Sequence, residues 1–256
     1  MTELKAFSLD YTEIKPETIG VSDAFASAGA VIVAAGASTR MGGQNKILLP
    51  LVGIPVVVRA AMAFQKHPAV QKIVLVTSEP QIPDLQRLTE TYGLSKVCQI
   101  VVGGNSREQS VKNGFLALTA GGGIETVLIH DGARPLVSGD VIDRVLTAVQ
   151  SFSAAVPAVL LKDTVKRVGK LGKIEHTVDR ATLAAVQTPQ GFSAELFDTA
   201  LQKAGEALSS FTDDAAVAES AGFPVYTVAG DYRNIKITTP EDIRVAEAYL
   251  ADDFSR

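Results

Sequence analysis

From Ala30 onward the chain alternates short apolar runs with longer stretches in which apolar residues recur at helical spacing. The short runs are Val31–Val33, Lys72–Val76, Gln99–Val102, Thr126–Ile129, Ala154–Val156 and Val225–Val228. Between most of them lie segments with a 3.6-residue rhythm, such as Ile54–Lys66, Ser106–Thr119 and Gly139–Ser151. Strands that are apolar throughout must be covered on both faces, and intervening helices do the covering. The pattern predicts an α/β fold: an open, mostly parallel, doubly wound sheet of Rossmann-like type.

Residues 160–186 break that rhythm. Asp163–Val168, a Gly169–Lys173 turn and Ile174–Arg180 read as a polar β-hairpin with little apolar surface of its own. A two-stranded hairpin is marginal alone, so this protruding arm is expected to rest on something, such as a second copy of the chain in a homodimer. Residues 1–28 carry five acidic residues against Lys5 and Lys15, and are expected to be an acidic extension preceding one domain at 29–256.

Composition narrows the function classes. The net charge of −4 provides no broad basic field, so nucleic acid is a poor partner and an anionic substrate needs local cations. The single cysteine, Cys98, excludes an intrachain disulfide and a multi-cysteine metal site, which suits a cytoplasmic protein. The longest uncharged stretch near the start, Ala24–Thr39, is too short to span a membrane, and no targeting segment precedes it.

Three loops carry candidate chemistry. The first follows the opening strand: Ala34, Ala35 and Gly36, then Arg40, Gly42, Gly43 and Lys46. Ligands of open parallel sheets bind beyond the carboxyl ends of the strands. A small-residue turn there lets backbone N–H groups approach phosphate while Arg40 and Lys46 supply charge. The bland alternative is a tight strand–helix connection with two surface cations. Neither the dinucleotide fingerprint nor the Walker-type loop is present. The second loop, His130-Asp131-Gly132-Ala133-Arg134-Pro135, places a carboxylate at a strand end, where it can hold Mg²⁺ beside nucleotide phosphates. Equally, Asp131 and Arg134 can form a loop ion pair, and His130 reads as packing. The third, Gly103-Gly104-Asn105-Ser106-Arg107-Glu108-Gln109-Ser110, opens a helix with Asn105 or Ser106 as N-cap, and can also accept a planar base.

These three segments, followed in order by Asp163–Lys166, Thr177–Arg180, Gln187–Gln190, Thr212–Ala215 and Asn234–Thr238, resemble the 2-C-methyl-D-erythritol 4-phosphate cytidylyltransferase family over about residues 29–250. Any one segment is common; all in register are specific. The resemblance implies CTP and 2-C-methyl-D-erythritol 4-phosphate as substrates, with Mg²⁺. It implies that Ala34, Ala35 and Gly36 line the nucleotide, that Arg40 and Lys46 hold the triphosphate, and that Gly104 and Ser110 meet the cytosine with Arg107 nearby. Asp131 would approach the ribose and Mg²⁺, Arg134 and Thr164 the acceptor, and Lys236 the α-phosphate. Arg180 and Thr188, on or near the arm, would grip the acceptor phosphate.

Val33 stands where many members carry proline, and the stretch before Lys46 lacks the proline often found there. Both departures leave the cations in place and bear on loop rigidity. Asp213 and Asp214 read as a helix cap and first-turn acid. Competing readings are a cytidylyltransferase for another alditol phosphate such as ribitol 5-phosphate, a dinucleotide-dependent oxidoreductase, and a non-catalytic nucleotide-binding regulator.

Overall fold

The computed structural model describes residues 27–36 and 46–254. Nearly all of the acidic stretch 1–28, and Arg40 with its glycines, lie outside those residues. In chain order the first half comprises β1 (Ala28–Val33), β2 (Pro50–Leu51), β3 (Ile54–Pro55), α1 (Val56–Lys66), β4 (Val70–Thr77), α2 (Ile82–Thr91), β5 (Val97–Val102), α3 (Arg107–Thr119) and β6 (Thr126–Asp131). There follow α4 (Gly139–Phe152), β7 (Ala154–Leu160), β8 (Val165–Val168), β9 (Ile174–Val178), β10 (Ala184–Val186), β11 (Gln190–Ser193), α5 (Ala194–Ala204), α6 (Asp214–Ser220), β12 (Tyr226–Ala229) and α7 (Pro240–Phe254).

The sheet is the mostly parallel one expected. Strands β5, β4, β1 and β6 lie side by side, all parallel. β11 then runs antiparallel between β6 and β7, and β12 pairs parallel with the far edge of β7. β10 pairs with β7 on the same edge as β11, so the two are pieces of one strand interrupted at Gln187–Pro189. That interruption turns out to matter for the site.

Side-chain alternation sorts the core into two layers. Ala30, Ile32, Ile73, Leu75 and Leu128 face α1 and α4, meeting Val57, Phe64, Ile142 and Val145. Their neighbours Val31, Val74, Val76, Val127 and Ile129 face α3 and α5, meeting Phe115, Leu118, Phe197 and Leu201. Burying such side chains is worth about 1.5–3 kcal/mol each. Gly114 lets α3 press on β1 and β4: a Cβ there would lie 2.4 Å from Val31 Cγ1 and 2.6 Å from Val76 Cγ2.

β8 and β9 form a separate two-stranded antiparallel sheet, Val165 opposite Val178 and Lys166 opposite Thr177. No hairpin residue joins any of the buried clusters, and Leu171 at its tip is wholly exposed. Among the described residues no helix is long and apolar enough to cross a membrane.

Candidate active site

A cleft of about 400 Å³ opens at the carboxyl ends of the parallel strands. Its walls come from the β1 turn (Ala34, Ala35, Gly36), from Lys46, from the loop opening α3 (Gly104, Ser106, Arg107, Ser110), from Asp131 ending β6, and from Lys236. Residues up to two hundred positions apart meet here because β1, β5 and β6 are parallel and present the same end.

Asp131 is the hub. Its Oδ2 lies 2.7 Å from Lys236 Nζ and 3.8 Å from Arg134 Nε, and its Oδ1 lies 3.4 Å from Arg107 Nε. Burial alone would raise its carboxyl, but Arg107, Lys236 and Arg134 outweigh that and hold it well below the usual carboxylate range. A carboxyl held so low is a poor proton acceptor, so Asp131 contributes charge and position rather than base catalysis.

The Asp131–Arg134 turn is braced from behind. The Asp131 N–H donates to Thr188 Oγ1 at 3.1 Å, and Thr188 Oγ1 lies 2.9 Å from His130 Nδ1. His130 Nε2 lies 3.0 Å from the Arg134 carbonyl, which can only accept, so the proton sits on Nε2 and Nδ1 receives the threonine O–H. Burial pushes the His130 imidazole down to about 4, which keeps it neutral near pH 7. The packing reading of His130 holds as far as it goes, since the ring centroid is 5.0 Å from that of Phe64. The hydrogen-bond chain is the additional finding.

Lys236 is positioned by its neighbours. Asn234 Nδ2 donates to the Thr188 carbonyl at 2.8 Å, and the Asn234 carbonyl accepts from Arg134 Nη1 at 2.7 Å. Beyond Lys236, Asp242 Oδ2 accepts from the Thr238 and Thr239 N–H groups at 2.7 and 2.8 Å, starting α7. Gln187 closes the same knot, its side chain pairing with both the N–H and the carbonyl of Asp231. The Gln187–Pro189 interruption thus binds the Lys236 loop to the Asp131 turn.

The remaining expected site residues have the following places. Ser110, expected to meet the base, lines the cleft, and its buried hydroxyl accepts from the Gly104 N–H at 3.0 Å and donates to the Ser106 carbonyl at 2.8 Å. It shapes the loop, while Ser106 is the N-cap of α3. Gly103 is required there, because a Cβ would meet Ala35 Cβ and Ser110 Oγ at 2.7 Å. Thr188, expected on or near the arm, is buried and bonded to the Asp131 N–H and to His130. Arg134 is mostly buried and fastened to Asn234, a frame member more than a free substrate ligand. Thr164 and Arg180 are exposed and do not line the cleft of their own chain; Arg180 Nη1 donates to the Lys162 carbonyl. Arg40 lies outside the described residues.

Asp214 has a partner that sequence reasoning did not find. Asp213 is the N-cap of α6, as expected. Asp214 is the first-turn acid, also as expected, and is in addition buried, with its two oxygens 3.1 and 2.8 Å from Arg107 Nη1 and Nη2. Burial lowers the Arg107 guanidinium, but Asp214 and Asp131 more than compensate and raise it above its ordinary value. Burial pushes the Asp214 carboxyl up, against the pull of Arg107. The bidentate geometry is that of an ionised pair.

Among the described residues Asp131 is the one carboxylate lining the cleft, and no three His, Cys, Asp or Glu side chains cluster. The donor set therefore fits Mg²⁺ only as an ion whose remaining ligands are phosphate and water, the usual mode for nucleotide-bound magnesium.

Comparison with known proteins agrees with this geometry. The family model of 2-C-methyl-D-erythritol 4-phosphate cytidylyltransferase matches residues 28–252. The chain is 46% identical over 222 residues to the enzyme of that name from Dehalococcoides mccartyi, covering 87% of this chain and 95% of the relative. It is 42% identical over 221 residues to the one from Bacillus mycoides, covering 86% and 96%. Among solved structures, 4-diphosphocytidyl-2C-methyl-D-erythritol synthase from Anaerococcus prevotii superposes with a TM-score of 0.76 at 30% identity, covering 89% of this chain and 97% of that one. The Thermus thermophilus 2-C-methyl-D-erythritol 4-phosphate cytidylyltransferase superposes at 0.71 and 29%, covering 86% and 98%. This chain belongs to the 2-C-methyl-D-erythritol 4-phosphate cytidylyltransferase family.

Proposed function

We propose that the chain transfers CMP from CTP to 2-C-methyl-D-erythritol 4-phosphate with release of pyrophosphate, a step of non-mevalonate isoprenoid synthesis. The observation that carries the reading is one cleft lined by Lys46, by Lys236 and Arg107 paired to Asp131, and by the small-residue turn Ala34–Gly36. An oxygen of the acceptor phosphate attacks the α-phosphorus of CTP, and the bond to the pyrophosphate oxygen breaks. The nucleophile is already an anion and needs no strong base, in keeping with a cleft lined by neither histidine nor cysteine. The obstacle is repulsion between two polyanions, so positioning and positive charge supply the catalysis.

In this scheme Arg40 and Lys46 hold the triphosphate and Lys236 stabilises charge on the transferring phosphoryl group. Gly104, in the loop ahead of α3, backs the cytosine, with the hydroxyl of Ser110 keeping that loop in shape. Bound Mg²⁺, held by Asp131 and the phosphates, would neutralise part of the triphosphate charge. Thr164 and Arg180, absent from their own cleft, serve the acceptor in the cleft of a second copy, making the enzyme a homodimer with exchanged arms. The setting is the cytoplasm, where CTP is made.

Pyrophosphate release from CTP, measured across a panel of sugar and alditol phosphates, tests the reading. 2-C-Methyl-D-erythritol 4-phosphate should exceed ribitol 5-phosphate by at least two orders of magnitude in kcat/KM, the scale of discrimination available when buried polar contacts go unmet. Preference for ribitol 5-phosphate would overturn it.

A further inference from the structure

Asp214 is a buried carboxylate to which the transfer chemistry above gives no task. It is 1% exposed at the start of α6. Capping does not explain it. The N-cap bond to the Ala216 N–H comes from Asp213 at 3.0 Å, and the Ala215 N–H is taken by Gln190 Oε1 at 2.8 Å. Both oxygens of Asp214 are spent on Arg107, whose remaining nitrogen, Nε, faces Asp131.

The connections close into a ring. Gln190 of β11 pairs with Ile129 in β6, two residues before Asp131. Its side chain grips the first turn of α6 at Ala215 and, through Nε2, at Asp213 Oδ2 (2.9 Å). From α6, Asp214 reaches Arg107 at the head of α3, and Arg107 reaches back to Asp131. A buried carboxylate is costly unless fully paired, and this one is paired only with a guanidinium lining the nucleotide cleft.

We propose that Asp214 is a positioning residue of the nucleotide site, acting through Arg107. It anchors one edge of the guanidinium so that Arg107 meets Asp131 through Nε alone, which leaves the second Asp131 oxygen to Lys236. Without that anchor, the nearest anion left to Arg107 is Asp131. A closer Arg107–Asp131 pair would draw Asp131 from Lys236 and shift the loop ahead of α3, which forms the other cleft wall.

The inference rests on the nucleotidyl-transfer reading. CTP-dependent pyrophosphate release by the wild type checks that reading; comparison among variants checks this one. In Asp214→Asn, KM for CTP should rise roughly tenfold with KM for the acceptor little changed, the scale of coupling in one charged network. Arg107→Met should lose kcat/KM at least as strongly, and the double variant should be no worse than Arg107→Met, because Asp214 has no route to the site except Arg107. Losses that multiply in the double variant would overturn the proposal. So would Asp214→Asn with a lowered melting temperature and an unchanged KM for CTP, the signature of a merely structural carboxylate. Asp214→Glu keeps the charge, and so the fold, while displacing the guanidinium by a methylene. It should also raise KM for CTP several-fold, and kinetics identical to wild type would overturn the proposal even if the asparagine variant failed to fold.

Discussion

The Asp131 end of β6 and the β8–β9 hairpin both carry clustered charge, and they hold it in opposite ways. Around Asp131, two carboxylates and three cations are buried or half-buried and joined in one network: Asp131 meets all three cations, Arg107 also holds Asp214, and Arg134 also holds the Asn234 carbonyl. On the hairpin, Arg167 and Glu175 pair at 3.3 Å with side chains 68% and 48% exposed, a contact worth about 0–1 kcal/mol. The first region is arranged before any ligand arrives, and its charges have nowhere else to go. The second has almost no stake in its own chain, so its residues gain meaning only from what they meet. Preorganised charge belongs where phosphate chemistry is done, and an arm with so few contacts to its own chain is where the proposed second copy is to be tested.

The sharpest way to break the contrast is Asp131→Asn. The amide keeps the shape but leaves three cations facing each other, and breaking a buried pair costs about 3–5 kcal/mol. We expect kcat/KM to fall by well over 10²-fold, with a lower melting temperature and partial recovery of rate at high Mg²⁺. A Mg²⁺ titration that overlays the wild type would make Asp131 a purely structural turn residue.

Next in size are Lys46→Ala and Lys236→Ala. Each removes a cation from the transferring group, which costs about 10²-fold or more in rate. Lys46 lies in a loop, so its variant should melt near the wild type, whereas Lys236→Ala also takes from buried Asp131 its partner at 2.7 Å and should lower the melting temperature. Near-normal turnover in either variant would remove that lysine from the chemistry.

A third test concerns the brace behind Asp131. His130 titrates near 4 in the fold against an ordinary 6.5, so the unfolded chain binds the extra proton between those values. Stability is therefore full above pH 6.5 and is lost as pH falls toward 4, by about 3 kcal/mol at the limit. Asp131, whose carboxyl is depressed, adds its own loss only below the usual carboxylate range. Urea midpoints at pH 7.5 and 5 should differ more for the wild type than for His130→Gln; equal slopes would deny the buried neutral imidazole.

The smallest expected effect tests the hairpin. Arg180→Ala and Lys46→Ala homodimers should each be nearly inactive. If the arm acts in trans, random mixing makes about half the dimers mixed, each with one intact site, and roughly a quarter of all sites recover. A mixture that stays inactive after verified subunit exchange would place Arg180 in its own chain's site.

What the sequence disclosed follows from how local each signal is. β1, β4, β5, β6, β7 and β12 announce themselves by β-branched runs, and α1, α3 and α4 by spacing. β10 and β11 do not: Ala184–Val186 and Gln190–Ser193 are short, and β11 is a strand because β6 and β7 leave a slot between them. In the site, the residues lining the cleft sit in glycine-rich or charged motifs at strand ends and were legible. Thr188 and Ser110 carry structural contacts beside their expected roles: Thr188 joins the Asp131 N–H to His130 Nδ1 across the fold, a pairing with no local sign, while Ser110 links the Gly104 N–H to the Ser106 carbonyl within its own loop. Asp214 pairs with an arginine 107 positions away. Its only local sign is an acid after an N-cap that leads into Ala-Ala-Val.

The most direct test is product analysis of purified protein incubated with CTP, Mg²⁺ and 2-C-methyl-D-erythritol 4-phosphate, followed by ³¹P NMR. The account predicts pyrophosphate and a new diphosphate whose two coupled phosphorus signals join CMP to the methylerythritol, formed in equal amounts and only with all three components present. Release of free CMP and pyrophosphate without acceptor, or no new diphosphate, would contradict it.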